Sequence, residues 1–367
     1  MNILYILVAI LLIGILVTVH ELGHFLAARI TGIGVKEFAV GWGPKLLSRV
    51  SKKSGIRYSL RALPLGGFCA FYSADEDEQI SRDDPRCFNN AKVWKRMITV
   101  LMGPMMNFIL AFVVLAVYLL CTGTVVYDPY VSSVEEAGPA YVAGVQAGDA
   151  ILAINEANLA DGTADDITAA IASWQDGDAP LTVSLRHEDG TEETVQVTPF
   201  YDEEAGRPRM GVMLAYRLRT KTLADGTLVY DYQPISLGEA ISGSWDSCVY
   251  AGGMIITALK NLVTTGEGAE DTTGIIGTVA IISEQVESGG LDSFINLLIV
   301  ISINLGIMNL LPFPGLDGSR FVFMVVEAIR RKPVPEEKEN LVHAIGIALL
   351  LALMVFLMFK DTIALLK

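Results

Sequence analysis

Residues 2–28 read NILYILVAILLIGILVTVHELGHFLAA, and this stretch decides the fold. Positions 2–19 carry no charge. About 20 apolar residues in a helix cross a hydrocarbon core of ~30 Å. The run therefore reads as a membrane-spanning helix, and one polar cluster, His20-Glu21-Leu22-Gly23-His24, interrupts it near its end. A secretory signal would carry a basic region before its apolar run and a small-residue cleavage site after it. No basic residue precedes Arg29 and no A-x-A-like site follows, so the segment is expected to stay in the chain.

Three more blocks of the same kind lie further along. Residues 97–127, 293–316 and 341–359 are uncharged. With the first block they predict four spans, at 3–26, 98–121, 293–314 and 341–360. A fifth apolar run, 247–259, has 13 uncharged residues and is too short for a span, so it is expected to be a buried or interfacial helix within 235–263 at the outer membrane surface. These blocks account for a chain of 367 residues that is 52% hydrophobic and only 19% charged. Such a composition excludes a disordered protein and an ordinary cytosolic enzyme. The formal net charge of −14 excludes a nucleic-acid binder, which would present a basic face.

Charge also orients the spans, because cytoplasmic loops are enriched in Lys and Arg. Residues 29–97 hold 13 basic and 7 acidic residues, whereas 122–291 hold 7 basic and 26 acidic. Arg320, Arg330, Arg331, Lys332 and Lys338 lie in 319–340. Segments 29–97 and 319–340 are therefore expected in the cytoplasm, with 122–291 and both termini outside. Cys69, Cys87, Cys121 and Cys248 show no C-x-x-C spacing and are expected to be free thiols rather than a disulfide framework.

The polar cluster is H-E-x-x-H. On a helix, positions i and i+4 share a face, so His20 and His24 can reach one metal ion, with Glu21 beside it to take a proton from bound water. Zinc is the expected ion, since it makes hydroxide available near pH 7. Three ionisable side chains at lipid depth are costly and mark a functional site. A catalytic zinc usually takes three protein ligands. A candidate third lies in the string Asn309-Leu310-Leu311-Pro312-Phe313-Pro314-Gly315-Leu316-Asp317-Gly318, in which Asp317 is the one carboxylate between Asp292 and Glu327; a surface Asp in a helix-terminating loop is the other reading of it. Four spans bring Asp317 to the same depth as His20 and His24, whereas a fifth would invert its helix.

These residues resemble the site-2 protease family of intramembrane zinc metalloproteases, of the regulator-of-sigma-E protease type. The likeness rests on H-E-L-G-H at 20–24, Gly103-Pro104-Met105-Met106-Asn107 and the string at 309–318, and it covers nearly the whole chain. It implies one zinc per chain held by His20, His24 and Asp317, with Glu21 as general base. It implies that Asn309 binds the substrate backbone or the oxyanion, and that Asn107 lines the site; a plain helix-packing role for Asn107 stands beside this. It also implies that 55–71 is a membrane-associated β-hairpin whose edge pairs with an extended substrate. Residues 88–96 are expected as an interfacial helix. The family often has a G-P-V-G-I string before its third span, and Gly274-Ile275-Ile276-Gly277-Thr278 lacks that Pro.

Residues 134–155, with their P-A pair and Gly148-Asp149-Ala150-Ile151-Leu152-Ala153-Ile154-Asn155, resemble a PDZ domain. Asp149 is expected to be a turn residue and His187 a solvated strand end, and His343 is expected to pack near the cytoplasmic headgroups rather than bind metal. The expected fold is thus a multi-pass α-helical membrane protein of the bacterial inner membrane type, with four transmembrane helices, a cytoplasmic β-hairpin region and one inserted extracytoplasmic PDZ domain. Its segments are 1–28, 29–97, 98–121, a PDZ domain at 122–215, a β extension and amphipathic helix at 216–291, then 292–318, 319–340 and 341–367. The expected activity is an endopeptidase that cuts the transmembrane segment of single-pass membrane proteins. The resemblance suggests anti-sigma factors or signal-peptide remnants as substrates, with the PDZ domain either binding a new C-terminus or sterically excluding uncut proteins. A membrane-anchored PDZ adaptor with an inactive metal site is the alternative. A zinc transporter fits less well, having only one site in its pathway.

Overall fold

The computed structural model describes residues 3–72, 84, 86–160, 162–203, 205–222, 228–270 and 272–365. The chain forms two units, 1–121 with 236–367, and 122–235. Among the described residues four helices are long and apolar enough to cross a membrane, and they fall on the four expected spans.

In the first unit, α1 (Ile3–Thr31) carries the H-E-x-x-H cluster. It stops where Gly32 turns to φ +80°, which lets the Ile33 N–H reach back to the Ala28 carbonyl at 2.9 Å. The strands β1 (Val35–Val50) and β2 (Arg57–Phe71) follow as an antiparallel hairpin folded on itself: residues 37–40 pair with 67–70 on one side and with 57–60 on the other, and 45–50 pair with 57–61, so 55–71 is not the self-paired hairpin expected but two segments flanking β1. Gly41 and Gly43, at φ +87° and +84°, break its register and bend it. The root of the hairpin buries Val35 and Ala39, and Glu37 is buried there with a hydrogen bond from Ser59 (2.6 Å) and an ion pair to Arg61 (2.9 Å). Its far end leaves Trp42, Leu46, Leu47 and Leu63 exposed.

The helix α2 (Val93–Thr122) begins at Val93, not at 88. Residues 86–91 form turns, and Phe88 stacks on Phe71 at 5.1 Å, so the expected interfacial helix gives way to a plug under the hairpin root.

The second unit opens with β3 (Thr124–Val125) and β4 (Tyr127–Val134), then a short helix α3 (Pro139–Val142). Next come β5 (Ala150–Ile154), β6 (Ala157–Asn158), α4 (Ala164–Ala172), β7 (Leu181–Arg186) and β8 (Glu192–Val197). These strands form a four-stranded sheet in the order β6-β5-β7-β8. The strands β9 (Phe200–Asp202) and β10 (Arg207–Arg209) pair with each other, and β11 (Val212–Leu218) pairs antiparallel with β4. Alternating residues Val183, Leu185, Val195 and Val197 close a core with Val131 and Ile167. The unit runs on to Ile235, through β12 (Thr220–Thr222), β13 (Leu228–Tyr230) and β14 (Tyr232–Gln233). Since β14 pairs back with β3, the strands expected as an extension after 215 belong to the same compact unit.

The chain re-enters the first unit with α5 (Leu237–Thr264), capped reciprocally by Ser236 and Glu239. This 28-residue helix packs Cys248, Ala251 and Ile255 along Ile299, Ile303 and Ile307 of α6 (Ile275–Leu310). It thus follows α6 to within one turn of Asn309, where the sequence had placed it at the outer surface. In α6 the backbone breaks at Gly290 (φ 59°, ψ −136°), and the segment before the break packs Ile282 on Leu12 and Leu16 of α1. The stretch 319–340 is not a plain loop: α7 (Asp317–Arg330) is a helix, tied to α2 by a 2.6 Å Arg96–Glu327 ion pair. Finally α8 (Glu336–Leu365) returns along the bundle, and the Asp361 carboxylate accepts from the Gly274 and Gly277 N–H groups at 2.9 and 2.8 Å, capping the start of α6. No disulfide forms among the described residues.

Candidate metal centre

The centre is built where α1 and α2 cross. Gly23 meets the Met102 backbone, and Gly103 meets both imidazoles of the H-E-x-x-H cluster. A Cβ on Gly103 would collide with the His24 ring and lie 2.9 Å from Nε2 of His20. Small residues on both helices thus permit the close approach. Closeness lets α2 fix the rings: His24 Nδ1–H donates to the Thr99 carbonyl at 2.8 Å, and the Asn107 side-chain amide lies 3.2 Å from His20 Nδ1. Both rings therefore turn Nε2 to the same point.

Asp317 arrives there from the other direction. The helix α6 ends at Leu310, residues 311–316 run unwound, and α7 begins at Asp317. Gly315 takes φ +100° in the turn. The turn is held from α8, where His343 Nδ1 accepts from the Gly315 N–H at 3.1 Å. His343 is 8% exposed, so it braces this turn instead of sitting among headgroups, and it is not part of the metal-ligating cluster.

The three ligand atoms form a nearly equilateral triangle. Asp317 Oδ2 is 3.0 Å from His20 Nε2 and 3.1 Å from His24 Nε2, and the two Nε2 atoms are 3.2 Å apart. A tetrahedral zinc with ligands at about 2.0–2.2 Å would hold them roughly 3.3–3.6 Å apart, a few tenths of an ångström wider. The His24 tautomer is set by the Thr99 carbonyl, so its Nε2 presents a lone pair to the carboxylate oxygen and to the second imidazole. Converging acceptor atoms of this kind fit a cation. Asn107 Oδ1, buried and without a partner, fits it too, since a metal on Nε2 leaves a proton on Nδ1 that needs an acceptor. Among the described residues this is the one such cluster of three.

Glu21 stands next to the triangle. Its Oε2 accepts from the Cys69 N–H of β2 at 2.9 Å. That bond holds the carboxylate and shows that the β2 edge turned away from β1 faces α1. The hairpin reaches further up the same helix: Gly14 lies against the Pro64 carbonyl, and Thr18 Oγ1 is 3.4 Å from the Gly66 carbonyl oxygen.

The two asparagines diverge. Asn309 is half-buried at the end of α6 and donates to the Leu305 carbonyl at 2.9 Å, leaving its side-chain oxygen available. Asn107 is fully buried behind His20. The carbonyl of Thr99, the N–H of Cys69 and the brace from His343 escaped the sequence reading. Two are backbone atoms with no residue-type signal, and the third comes from a helix distant in sequence.

In the second unit, the turn reading of Asp149 fits its bond from the Gln146 N–H at 2.8 Å. His187 is no solvated strand end: its Nδ1 is 2.7 Å from Asp149 Oδ1 and its Nε2 3.3 Å from Glu193 Oε2. The hydrogen bond to Asp149, then that to Glu193, raises its pKa above the usual imidazole value.

A buried His-His-Asp triangle with a carboxylate beside it, carried on helices apolar enough to span a bilayer, defines a membrane metallohydrolase. The comparisons with known proteins agree. Residues 8–353 match the profile of peptidase family M50, and the chain belongs to that family of site-2 protease-type zinc metalloproteases. A protein of Clostridium acetobutylicum described as a candidate zinc metalloprotease is 32% identical over 363 residues, covering 99% of this chain and 98% of its own. A Synechocystis protein described in the same way is 32% identical, covering 99% and 96%. The chloroplastic membrane metalloprotease ARASP of Arabidopsis thaliana is 31% identical, covering 97% and 78%.

Proposed function

We propose that this zinc metalloprotease hydrolyses a peptide bond inside the transmembrane segment of a single-pass membrane protein. The observation that carries the reading is the meeting of His20, Glu21, His24 and Asp317 within the apolar helices. His20, His24 and Asp317 would hold one zinc per chain. When bound, the ion supplies Lewis acidity, lowering the pKa of water to about 7 and stabilising charge on the attacked carbonyl oxygen. Glu21, steadied by the Cys69 N–H, takes the proton from the attacking water and returns it to the departing amine nitrogen. Asn309 turns its amide from the Leu305 carbonyl to the substrate backbone or the developing oxyanion.

A helical substrate hides its peptide bonds in its own hydrogen-bond ladder, so it must be drawn out as a strand. The hairpin supports this step. Its β2 edge faces the Glu21 side of α1, where an extended segment can pair. Its exposed Trp42, Leu46, Leu47 and Leu63 suit a membrane-associated position.

The second unit reads as a single PDZ domain. A groove of about 340 Å³ between α4 and the β10–β11 strands, lined by Ala164, Ile171, Met210 and Leu214, is where a new C-terminus would add along β11. The charge pattern supports a bacterial inner membrane type of placement, with 122–235 and both termini extracytoplasmic. Anti-sigma factors and signal-peptide remnants are the substrates that the resemblance suggests.

The test uses purified protein in detergent, zinc and a single-span substrate. Wild type should cleave and Glu21→Gln should not. Equal cleavage by both would leave the adaptor with an inactive site as the better reading.

A further inference from the structure

We propose that Asn107 is a positioning residue for the metal, not a contact for substrate. With an ion on His20 Nε2, a half-turn of the amide would let its side-chain carbonyl accept from His20 Nδ1–H and so reserve Nε2 for the ion. The inference rests on the reading of His20, His24 and Asp317 as zinc ligands. It goes beyond that reading by giving a role to a residue outside the ligand set.

Burial is the first argument. Asn107 is 0% exposed, and Nδ1 lies on the side of the His20 ring away from the triangle, so a substrate at the metal cannot touch the amide. Hydrogen-bond bookkeeping is the second. The amide nitrogen Nδ2 lies 3.2 Å from Nδ1, and Oδ1 has no partner. In that arrangement Nδ2–H donates to Nδ1, and His20 Nε2–H faces Asp317 Oδ2 at 3.0 Å. Without an ion this network pairs both nitrogens of His20 but leaves Asn107 Oδ1 unsatisfied. An ion on Nε2 moves the proton to Nδ1, where Nδ2 would oppose it donor to donor. A half-turn of the amide exchanges nitrogen for oxygen within the same volume and restores a hydrogen bond. Asparagine serves both states because it carries a donor and an acceptor on one planar group; aspartate would serve only the second.

The third argument is bracing. Ser302 Oγ, also 0% exposed, donates to the Asn107 backbone carbonyl at 2.8 Å, which fixes this turn of α2 against α6. His24 has a parallel partner in the Thr99 carbonyl. One ligand is thus held by an unchanging backbone acceptor and the other by a side chain that can reverse. Partners of metal-bound imidazoles typically carry roughly 10- to 100-fold in metal affinity.

The experiment measures zinc affinity by chelator competition on full-length protein in detergent, together with the visible absorption of the cobalt-substituted protein. Asn107→Leu should weaken zinc about 10- to 100-fold and change the cobalt spectrum. Asn107→Asp, which keeps an acceptor in the same shape, should retain wild-type affinity or better, with the wild-type spectrum. Should the leucine variant not fold, Asn107→Ala takes its place, with the same loss expected. Wild-type affinity and spectrum in the variant without an acceptor would overturn the proposal, as would equal loss in the aspartate variant. Asp317→Ala separates the two levels of inference. If it too binds zinc normally, the ligand assignment fails; if it alone loses zinc, only the role of Asn107 fails.

Discussion

At the scale of single residues, the centre depends on what is absent at position 103. Gly103 sits in α2 facing two imidazoles, and any Cβ there intrudes on both. Gly103→Ala is therefore expected to lower bound zinc and cleavage together while the helices remain, with zinc content by atomic emission and far-UV circular dichroism as the paired readouts. The H-E-x-x-H residues and Asp317 were legible because their types announce metal chemistry. Gly103 and Asn107 were legible only as a pattern, since nothing in the string says which helix they meet. His187 was not legible at all, because Asp149 stands 38 positions away. Its raised pKa has a definite sign. A proton bound more tightly in the fold stabilises it fully below the unfolded imidazole value of about 6.5, and that contribution disappears as pH rises through the higher folded value. The facing groups Asp149 and Glu193 are both acidic, and Glu188 lies close to the Gly148 turn. Unfolding of residues 122–235 within the full chain should shift to lower temperature as pH is raised from about 6.5, and His187→Gln should flatten that dependence. An unchanged slope in the variant would remove His187 as its source.

Elements are where the site is assembled, and two contacts between elements make separable predictions. The hairpin meets α1 at Gly14, six residues before His20, where a side chain would strike the Pro64 carbonyl. Gly14→Val should displace β2, loosen the Cys69 bond to Glu21 and reduce kcat/KM at full zinc content. Loss of zinc instead would mean that the hairpin holds the metal ligands as well. The turn before α7 meets α8 at His343. His343→Phe keeps a ring but removes the acceptor of the Gly315 N–H, a change of about 0.5–1.5 kcal/mol. That variant should melt earlier and bind zinc less tightly, because the same turn carries Asp317. Apolar blocks made the long helices readable, and Pro312, Pro314 and Gly315 made the unwound turn readable. The helix at 317–330 was hidden because a charged, amphipathic segment after a glycine-rich turn reads equally well as a loop. The segment 88–96 misled in the opposite sense: Trp94 and the cations Lys92, Lys95 and Arg96 suit a headgroup helix, but Phe88 stacks on Phe71 and the helix starts only at Val93.

For the whole molecule, the physical question is how a hydrolytic centre survives in an apolar medium. The four spans remove Asp317, His20 and His24 from bulk water, and a cation shared by their converging acceptor atoms, with a hydrogen-bond partner behind each imidazole, would offset the desolvation this imposes. Such an offset requires α1 and α6 to bring their polar ends to one level, which is a statement about topology. The charge distribution carries that topology: 13 basic residues in 29–97 and 26 acidic residues in 122–291. The expectation this sets, that position 52 is cytoplasmic and position 176 is not, is open to a labelling test. In a background with Cys69, Cys87, Cys121 and Cys248 replaced by serine, Asp176→Cys should react with a membrane-impermeant maleimide added to intact cells. Lys52→Cys should react only after lysis. A reversed pattern would invert the orientation yet keep the centre, since all spans invert together. Labelling of both from outside would place an odd number of crossings between 52 and 176 in error, and with it the depth match that joins Asp317 to the two histidines.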